Sequence, residues 1–408
     1  MKNFLQFLRR AWRYFRGTRR VWRRPPQSDL LIIDRGTASP LDEMFAHHNP
    51  HIMDIRGESI NMLALLRALP KVRLGAVAYL EAYIDFVKPK LVLSRNGDSD
   101  LNLWRIKRRM RINYKVVLVQ NGWRPDRFGA IPIATFERGQ DSIRPAIDCA
   151  LVFGPVQADS RLLQYADNVL GIGSTKLNQI DFSKPKMGNK KMVFISEYRH
   201  QEFLSNPDFY GVDAEICQFL AKFAIKNQLS IDVAGVMSGI ERLEGEKNWF
   251  AKHFAGADWH YQEKQNSLSS YELINAAEMV VTVDSTMGYE SISIGKKTAI
   301  LCCRRFTRSK GREGLYDLLI EKSSMDLGGT ANNRFGASDE FEDSGFFWSN
   351  IRSPDEWYRV LTNVIESSPD EFERICRPYA DQLMVHDYGN TKIRAYVEGV
   401  LTDSLENK

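Results

Sequence analysis

Short apolar runs rich in Val, Ile and Leu recur along this chain, and each ends in a polar loop bearing Gly, Asn, Ser or Asp. Runs of that kind, without strict alternation, mark strands buried on both faces of a parallel sheet. They fall at Leu30–Ile33, His51–Ile55, from Lys90 running into a polar loop that reaches Ser99, Tyr114–Val119, Ala150–Phe153 and Asn168–Ile172. A second set falls at Met192–Ile195, Ser230–Ala234, Trp259–Tyr261, Met279–Val283 and Lys297–Leu301. Between them the pattern predicts helices over Ser59–Leu69, Leu74–Val87, Leu101–Arg111, Asp213–Asn227 and Tyr271–Ala277. Three more, Pro354–Ser367, Asp370–Gln382 and Asn390–Leu405, close the chain. Strands alternating with helices predict an α/β fold. The alternation pauses over the polar segment 181–191 and then restarts, which predicts two Rossmann-like domains, 28–180 and 188–375, with C-terminal helices over 376–408.

One stretch concentrates the chemistry. The apolar run Met279–Val283 is followed by Asp284, Ser285 and Thr286, three residue types that cap helices. Gly288 allows a close approach, and Glu290 falls about one helical turn on. A helix start at the carboxyl edge of a parallel sheet is where open α/β folds bind ligands. Its N–H groups and dipole favour a phosphate, and a carboxylate one turn in can grip a ribose diol. The same residues also fit a plain N-cap followed by a buried structural Glu.

Composition adds one asymmetry to this picture. The 408-residue chain has a formal net charge of +5. Residues 1–24 hold Lys2 and eight Arg with no acid, leaving 47 basic against 51 acidic residues in the remainder. Met1, Phe4, Leu5, Leu8, Ala11, Trp12 and Phe15 form an apolar stripe opposite Arg9, Arg10, Arg13 and Arg16. This predicts a basic amphipathic helix on an anionic membrane surface, ended by Pro25-Pro26 in a segment 1–27. An RNA-binding arm and a helix docked on a partner are the competing readings. No stretch is long and apolar enough to span a bilayer, and no signal-peptide core is present. Five Cys without metal-type spacing read as buried thiols of a reducing compartment. His47, His48 and His51 do not share one helical face and have no Cys or acidic motif beside them, so no metal site is expected. Walker-A, Gly-x-Gly-x-x-Gly and Gly-x-Ser-x-Gly patterns are absent, which argues against NTPase, dehydrogenase and hydrolase classes.

Two Rossmann-like halves in tandem suggest the GT-B arrangement, in which domains face across a cleft. The nucleotide-sugar donor then binds the second domain and the acceptor the first. Four stretches carry a resemblance in the same direction. They are Lys88-Pro-Lys-Leu-Val-Leu running to Asn96-Gly-Asp98, Val119-Gln-Asn-Gly-Trp-Arg124, Gly171-Ile-Gly-Ser-Thr-Lys176, and Phe194-Ile-Ser-Glu-Tyr-Arg199 with Asp284-Ser-Thr-Met-Gly-Tyr-Glu290. Together, over roughly residues 75–305, the chain resembles surface-carbohydrate biosynthesis proteins of bacterial lipopolysaccharide and capsule gene clusters, taken to be GT-B-type transferases. That family usually has a carboxylate-then-amide pair after the Pro-Lys strand, whereas this chain reads Asn96-Gly97-Asp98.

The expectation is therefore a metal-independent, cofactor-free glycosyltransferase on the cytoplasmic face of the inner membrane, extending a lipid-linked glycan. Ser285, Thr286, Gly288, Glu290 and Arg304 are its candidate donor-binding residues. Asp98 is the candidate base, with Asp34, Asp42 and Glu43 behind it, and Arg199 the catalytic cation. Gln120 and Asn121 are placed at the acceptor, and Ser174, Thr175 and Lys176 near the cleft floor. The Asp-Ser-Thr segment is also similar to that of sugar 2-epimerases and of polyol-phosphate transferases of teichoic-acid synthesis, which are the alternatives. A non-catalytic membrane scaffold is a third.

Overall fold

The computed structural model describes residues 17–56, 58–95, 101–109, 114–123, 127–182, 190–198, 207–236, 240–307, 330–332, 334–337 and 341–406. Two six-stranded parallel sheets organise them. In chain order the strands of the first half are β1 (Arg19–Val21), β2 (Leu30–Ile33), β3 (His51–Met53), β4 (Ser59–Asn61), β5 (Leu91–Ser94), β6 (Lys115–Val119), β7 (Ile147–Val152) and β8 (Ala166–Gly171). Six of them form the first sheet, ordered β3-β2-β5-β6-β7-β8. Strands β2, β5 and β7 are buried throughout, which is why they read as largely apolar runs, with Ser94 and Asp148 their polar exceptions.

The second half contributes β9 (Lys191–Ile195), β10 (Ser230–Ala234), β11 (Trp259–Gln262), β12 (Met279–Thr282), β13 (Thr298–Leu301), β14 (Arg305–Thr307), β15 (Thr330–Asn332) and β16 (Trp348–Ser349). Its sheet runs β11-β10-β9-β12-β13-β16, again parallel. Doubly wound parallel sheets in tandem are the GT-B-like arrangement that the periodicity predicts.

The halves are packed together. Trp123 and Phe153 of the first join the large hydrophobic core of the second. The chain then crosses back after helix Pro369–Leu383, where the Val385 N–H donates to Phe153 O at 3.0 Å. Helix Thr391–Glu406 buries Ile393, Val397 and Leu401 against Leu30, Ile32, Leu91 and Leu93 of the first sheet. Gly173 (φ +68°) underlies the crossing, since a Cβ there would sit 1.9 Å from Val385 O.

Three expectations need correction. The predicted N-terminal helix does not continue through residues 19–21, which are a strand pairing in parallel with β4. The stripe-bearing residues 1–16 lie outside the described residues. Ser59–Asn61, expected as helix, is that strand partner; the helix begins at Met62, with the Asn61 side chain capping Ala64 N. Helices Ala130–Glu137 and Ile240–His253 were not expected. The first is buried over Ala130–Thr135, so it shows no one-sided stripe.

Candidate active site at the facing sheet edges

Strand β12 delivers Asp284 and Ser285 to the carboxyl edge of the second sheet, and helix Thr286–Ser293 starts there as expected. Ser285 is the N-cap, in extended backbone, and its hydroxyl accepts from Met287 N at 3.4 Å. Its own N–H donates to Thr282 Oγ1 at 3.1 Å. A Cβ on Gly288 would lie 2.3 Å from Thr282 Cγ2, so this glycine seats the helix on its own strand. The Thr286 hydroxyl reaches the other domain, accepting from Trp123 N at 2.9 Å. Beside it the Trp123 ring lies on Tyr289, with centroids 3.5 Å apart and planes 9° apart. The Ser285 and Thr286 hydroxyls and the Asp284, Ser285 and Met287 N–H groups are therefore engaged by the protein itself, and the turn faces the first domain.

Glu290 lies deeper, 3% exposed, among residues from both halves. Tyr271, on helix Ser269–Ala276, donates its hydroxyl to both carboxylate oxygens at 3.0 Å. Ser174, in the loop after β8, also hydrogen-bonds it, and Lys176 and Arg95 bear on it electrostatically. Burial pushes the Glu290 carboxyl up, while Ser174, Tyr271, Lys176 and Arg95 pull it back. Arg95 directly follows β5 and is 5% exposed; burial brings its guanidinium down to about 10, against the opposing pull of Tyr271 and Glu290. One Arg95 nitrogen donates to Ser39 O, whereas its Nε, like the Thr175 hydroxyl, is buried without a hydrogen-bond partner among the described residues. The Lys176 ammonium is pushed down by burial and then by Arg95 and Lys264. Lys176 is half-buried and Lys264 exposed, so the cluster grades outward from Glu290 into cationic surface.

Other sequence candidates have different surroundings. Arg304 is 5% exposed and clamps Asp213 through Nε and Nη2 at 3.0 and 2.8 Å, with Nη1 on Glu197 at 2.9 Å. Burial works against its charge, but Asp213 and Glu197 outweigh burial and hold it protonated. Glu197 also accepts from Asp284 N at 3.1 Å, so the Arg304 cation props the β12 turn from behind. Gln120 donates to Gly122 O and Gln157 Oε1 and accepts from Phe153 N, which commits its amide to the loop. Asn121 beside it is half-buried. Asp34 pairs with Arg56 at 2.6 Å and caps Gly36 N. Asp42 keeps one buried oxygen without a partner among the described residues, and Glu43 is exposed. Asp98 and Arg199 lie outside the described residues.

The structure thus brings together Ser174, Thr175, Lys176 and Glu290 and adds Arg95, Lys264 and Tyr271, which sequence reasoning did not assign. Arg95 alone left a signal, a cation placed directly after an apolar strand. Two cations around one carboxylate, a third beside Lys176, and nearby hydroxyls suit a ligand that is both anionic and rich in hydroxyl groups.

A family model for O-antigen biosynthesis proteins matches residues 117–400. No curated protein matches the chain by sequence at a significant level. Among solved structures, S. aureus MnaA in its UDP co-structure is similar at 12% identity, covering 92% of this chain and 97% of that one, with a TM-score of 0.54. UDP-GlcNAc 2-epimerase from Neisseria meningitidis, bound to UDP-GlcNAc, is similar at 12% identity, 92% and 99% coverage and a TM-score of 0.50. The wall teichoic acid polymerase TagF follows at 9% identity, 94% and 91% coverage and a TM-score of 0.49. At such identities the likeness is one of fold.

Proposed function

The chain belongs to the O-antigen biosynthesis protein family, and we propose that within it this protein is a glycosyltransferase, moving a sugar from a nucleotide-sugar donor to a lipid-linked surface glycan. The observation that carries the reading is the Glu290 cluster, where Tyr271 and Glu290 of one domain meet Arg95, Ser174 and Lys176 of the other. Glu290 holds the ribose hydroxyls, with Ser285, Thr286 and Gly288 shaping the helix start beside it. Arg95, Lys176 and Lys264 meet the phosphates, the part first assigned to Arg304. UDP in the S. aureus MnaA structure and UDP-GlcNAc in the N. meningitidis epimerase structure support a nucleotide-sugar ligand.

In the transfer an acceptor hydroxyl attacks the anomeric carbon as its bond to the nucleoside phosphate breaks. The cations stabilise charge on the leaving phosphate, and a first-domain base takes the hydroxyl proton. Asp98 is assigned that base by its place after β5, and Arg199 an auxiliary cation by its place after β9. Asn121 and Gln120 line the acceptor side. Cationic side chains at the phosphate leave no step that requires a metal or cofactor, so turnover should survive EDTA.

The acceptor reading includes a membrane. Trp22 is 61% exposed, and Leu66 and Leu69 are 49% and 54% exposed on the neighbouring helical segment. Arg24 and Arg67 both lie over the Phe86 ring at 5.1 Å, beside this apolar surface. This face suits anionic lipid at the cytoplasmic surface of the inner membrane, and the Arg-rich composition of residues 1–24 favours the same partner. Among the described residues no helix is long and apolar enough to cross a membrane.

The test is a thermal-shift screen against UDP-, GDP-, CDP-, CMP- and dTDP-sugars, followed by product analysis with and without lipid-linked acceptor. One stabilising nucleotide and acceptor-dependent release of it support the transferase. Conversion of the free nucleotide-sugar to its 2-epimer without acceptor replaces it with the epimerase reading. Transfer of a polyol phosphate replaces it with the third class of enzyme. No shift with any nucleotide leaves a scaffold.

A further inference from the structure

We propose that His47, His48 and Glu398 form a binding site for one divalent metal ion of zinc-like softness, which clasps the C-terminal helix onto the first domain. His47 and His48 lie in the turn Ala46–His48, just before β3, at the amino edge of the first sheet. That edge is opposite the one carrying the Glu290 cluster. Glu398 comes from helix Thr391–Glu406, about 350 residues later in the chain.

The two imidazoles converge on one carboxylate from different sides. His47 Nε2 is 2.9 Å from Glu398 Oε1, and His48 Nε2 is 2.9 Å from Glu398 Oε2. One ligand atom from each residue lies within 4.8 Å of the others. Two neutral imidazoles and a carboxylate are a donor set that zinc prefers, with water completing a tetrahedron. At ordinary zinc bond lengths of about 2.0–2.2 Å, tetrahedral ligand atoms sit roughly 3.3 Å apart. The two His–carboxylate contacts at 2.9 Å lie a few tenths of an ångström inside that spacing, and all three ligand atoms fall within 4.8 Å of one another.

The surroundings fix the frame. Asn49, in left-handed backbone (φ 49°), ends the turn, and its carbonyl accepts from Ser28 Oγ at 3.1 Å. On the helix side Arg394 donates to Met44 O at 3.1 Å, which ties the same two elements together one turn away. His51, the third of the sequence cluster, is excluded: its Nε2 pairs with Tyr83 OH at 2.8 Å. The five cysteines are all buried and supply no competing surface thiol.

Full-length protein, dialysed against chelator, is titrated with ZnCl2 by calorimetry and with CoCl2 by visible absorption. One equivalent per chain is expected, with a rise in melting temperature and the visible bands of a tetrahedral nitrogen and oxygen site. His48→Ala and Glu398→Gln should each weaken binding at least about tenfold and abolish the melting shift, and His51→Ala should leave both intact. A cobalt–thiolate absorption band, undiminished binding in both variants, or no stoichiometric uptake by the wild type overturns the proposal. Circular dichroism of the apo variants shows that they are folded; should one not fold, His47→Gln gives the same comparison.

Discussion

Replacing Glu290 by Gln keeps the side chain's shape and removes its charge, so it separates binding from packing. The amide oxygen still accepts from Tyr271, whose hydroxyl lies 3.0 Å from both carboxylate oxygens. Burial outweighs the groups that favour its charge, so the Glu290 carboxyl is pushed above its ordinary 4.5. A carboxylate with a raised folded value contributes stability that is fully present below its unfolded value and lost as pH rises through the folded one. The stability of the wild type relative to the Gln variant should therefore fall as pH climbs from about 4.5 through the raised folded value. Nucleotide affinity should behave differently. Charge-assisted hydrogen bonds from a ribose diol are worth about 1.5–3 kcal/mol, so the variant should bind the stabilising nucleotide roughly 10- to 150-fold more weakly. Calorimetric titration at neutral pH and urea melts across pH 4–8 read both quantities. Nucleotide affinity within about twofold of wild type, with the pH-dependence gone, would make Glu290 a structural carboxylate and refute the ribose assignment.

The remaining predictions concern residues around it. Thr286→Val removes the acceptor of Trp123 N and should cost about 1–3 kcal/mol in a urea melt, with Thr286→Ser close to wild type. Gly288→Ala places a methyl 2.3 Å from Thr282 Cγ2 and should cost about 1–3 kcal/mol by overpacking. Arg304→Met leaves Asp213 and Glu197 facing each other without their cation. It should lose about 3–5 kcal/mol near neutrality and less in acid, where the carboxyls take protons. Removing residues 1–16, which leaves β1 in place, should release the protein from anionic vesicles at physiological salt; unchanged co-sedimentation ends the membrane assignment of that segment.

The strands were legible because a strand covered on both faces is apolar at most positions, as Leu30–Ile33 is throughout and Thr298–Leu301 is after its Thr. β1 was not, because Arg19–Val21 at the start of the structure pairs with Ser59–Asn61, a long-range choice that overrides local pattern. Glu290 could be marked from its spacing after a cap, but Ser174, Lys176 and Arg95 reach it from another domain, and no local signal announces that meeting. Arg304 illustrates the opposite failure. It is marked as a donor-binding candidate by its place after a strand, because Asp213, which neutralises it, lies 91 residues earlier. His47 and His48 lacked an acidic partner in sequence for the same reason, with Glu398 brought in by the crossing helix.

The helix start at Ser285 has a consequence for where anion specificity resides. In the closed arrangement its N-cap hydroxyl serves Met287 N, Asp284 N is held by Glu197, and the Thr286 hydroxyl serves Trp123. A phosphate that draws on any of these groups must displace a contact, whereas Arg95 Nε already lies buried without a partner among the described residues. Arg95 and Lys176 belong to the first domain and Glu290 and Tyr271 to the second, so the proposed site is complete only while the domains are apposed. Trp123 stacked on Tyr289 and the Thr286 contact hold that apposition. Substitutions at either should weaken nucleotide binding without touching the nucleotide, because they reduce the population in which both sets of groups face it.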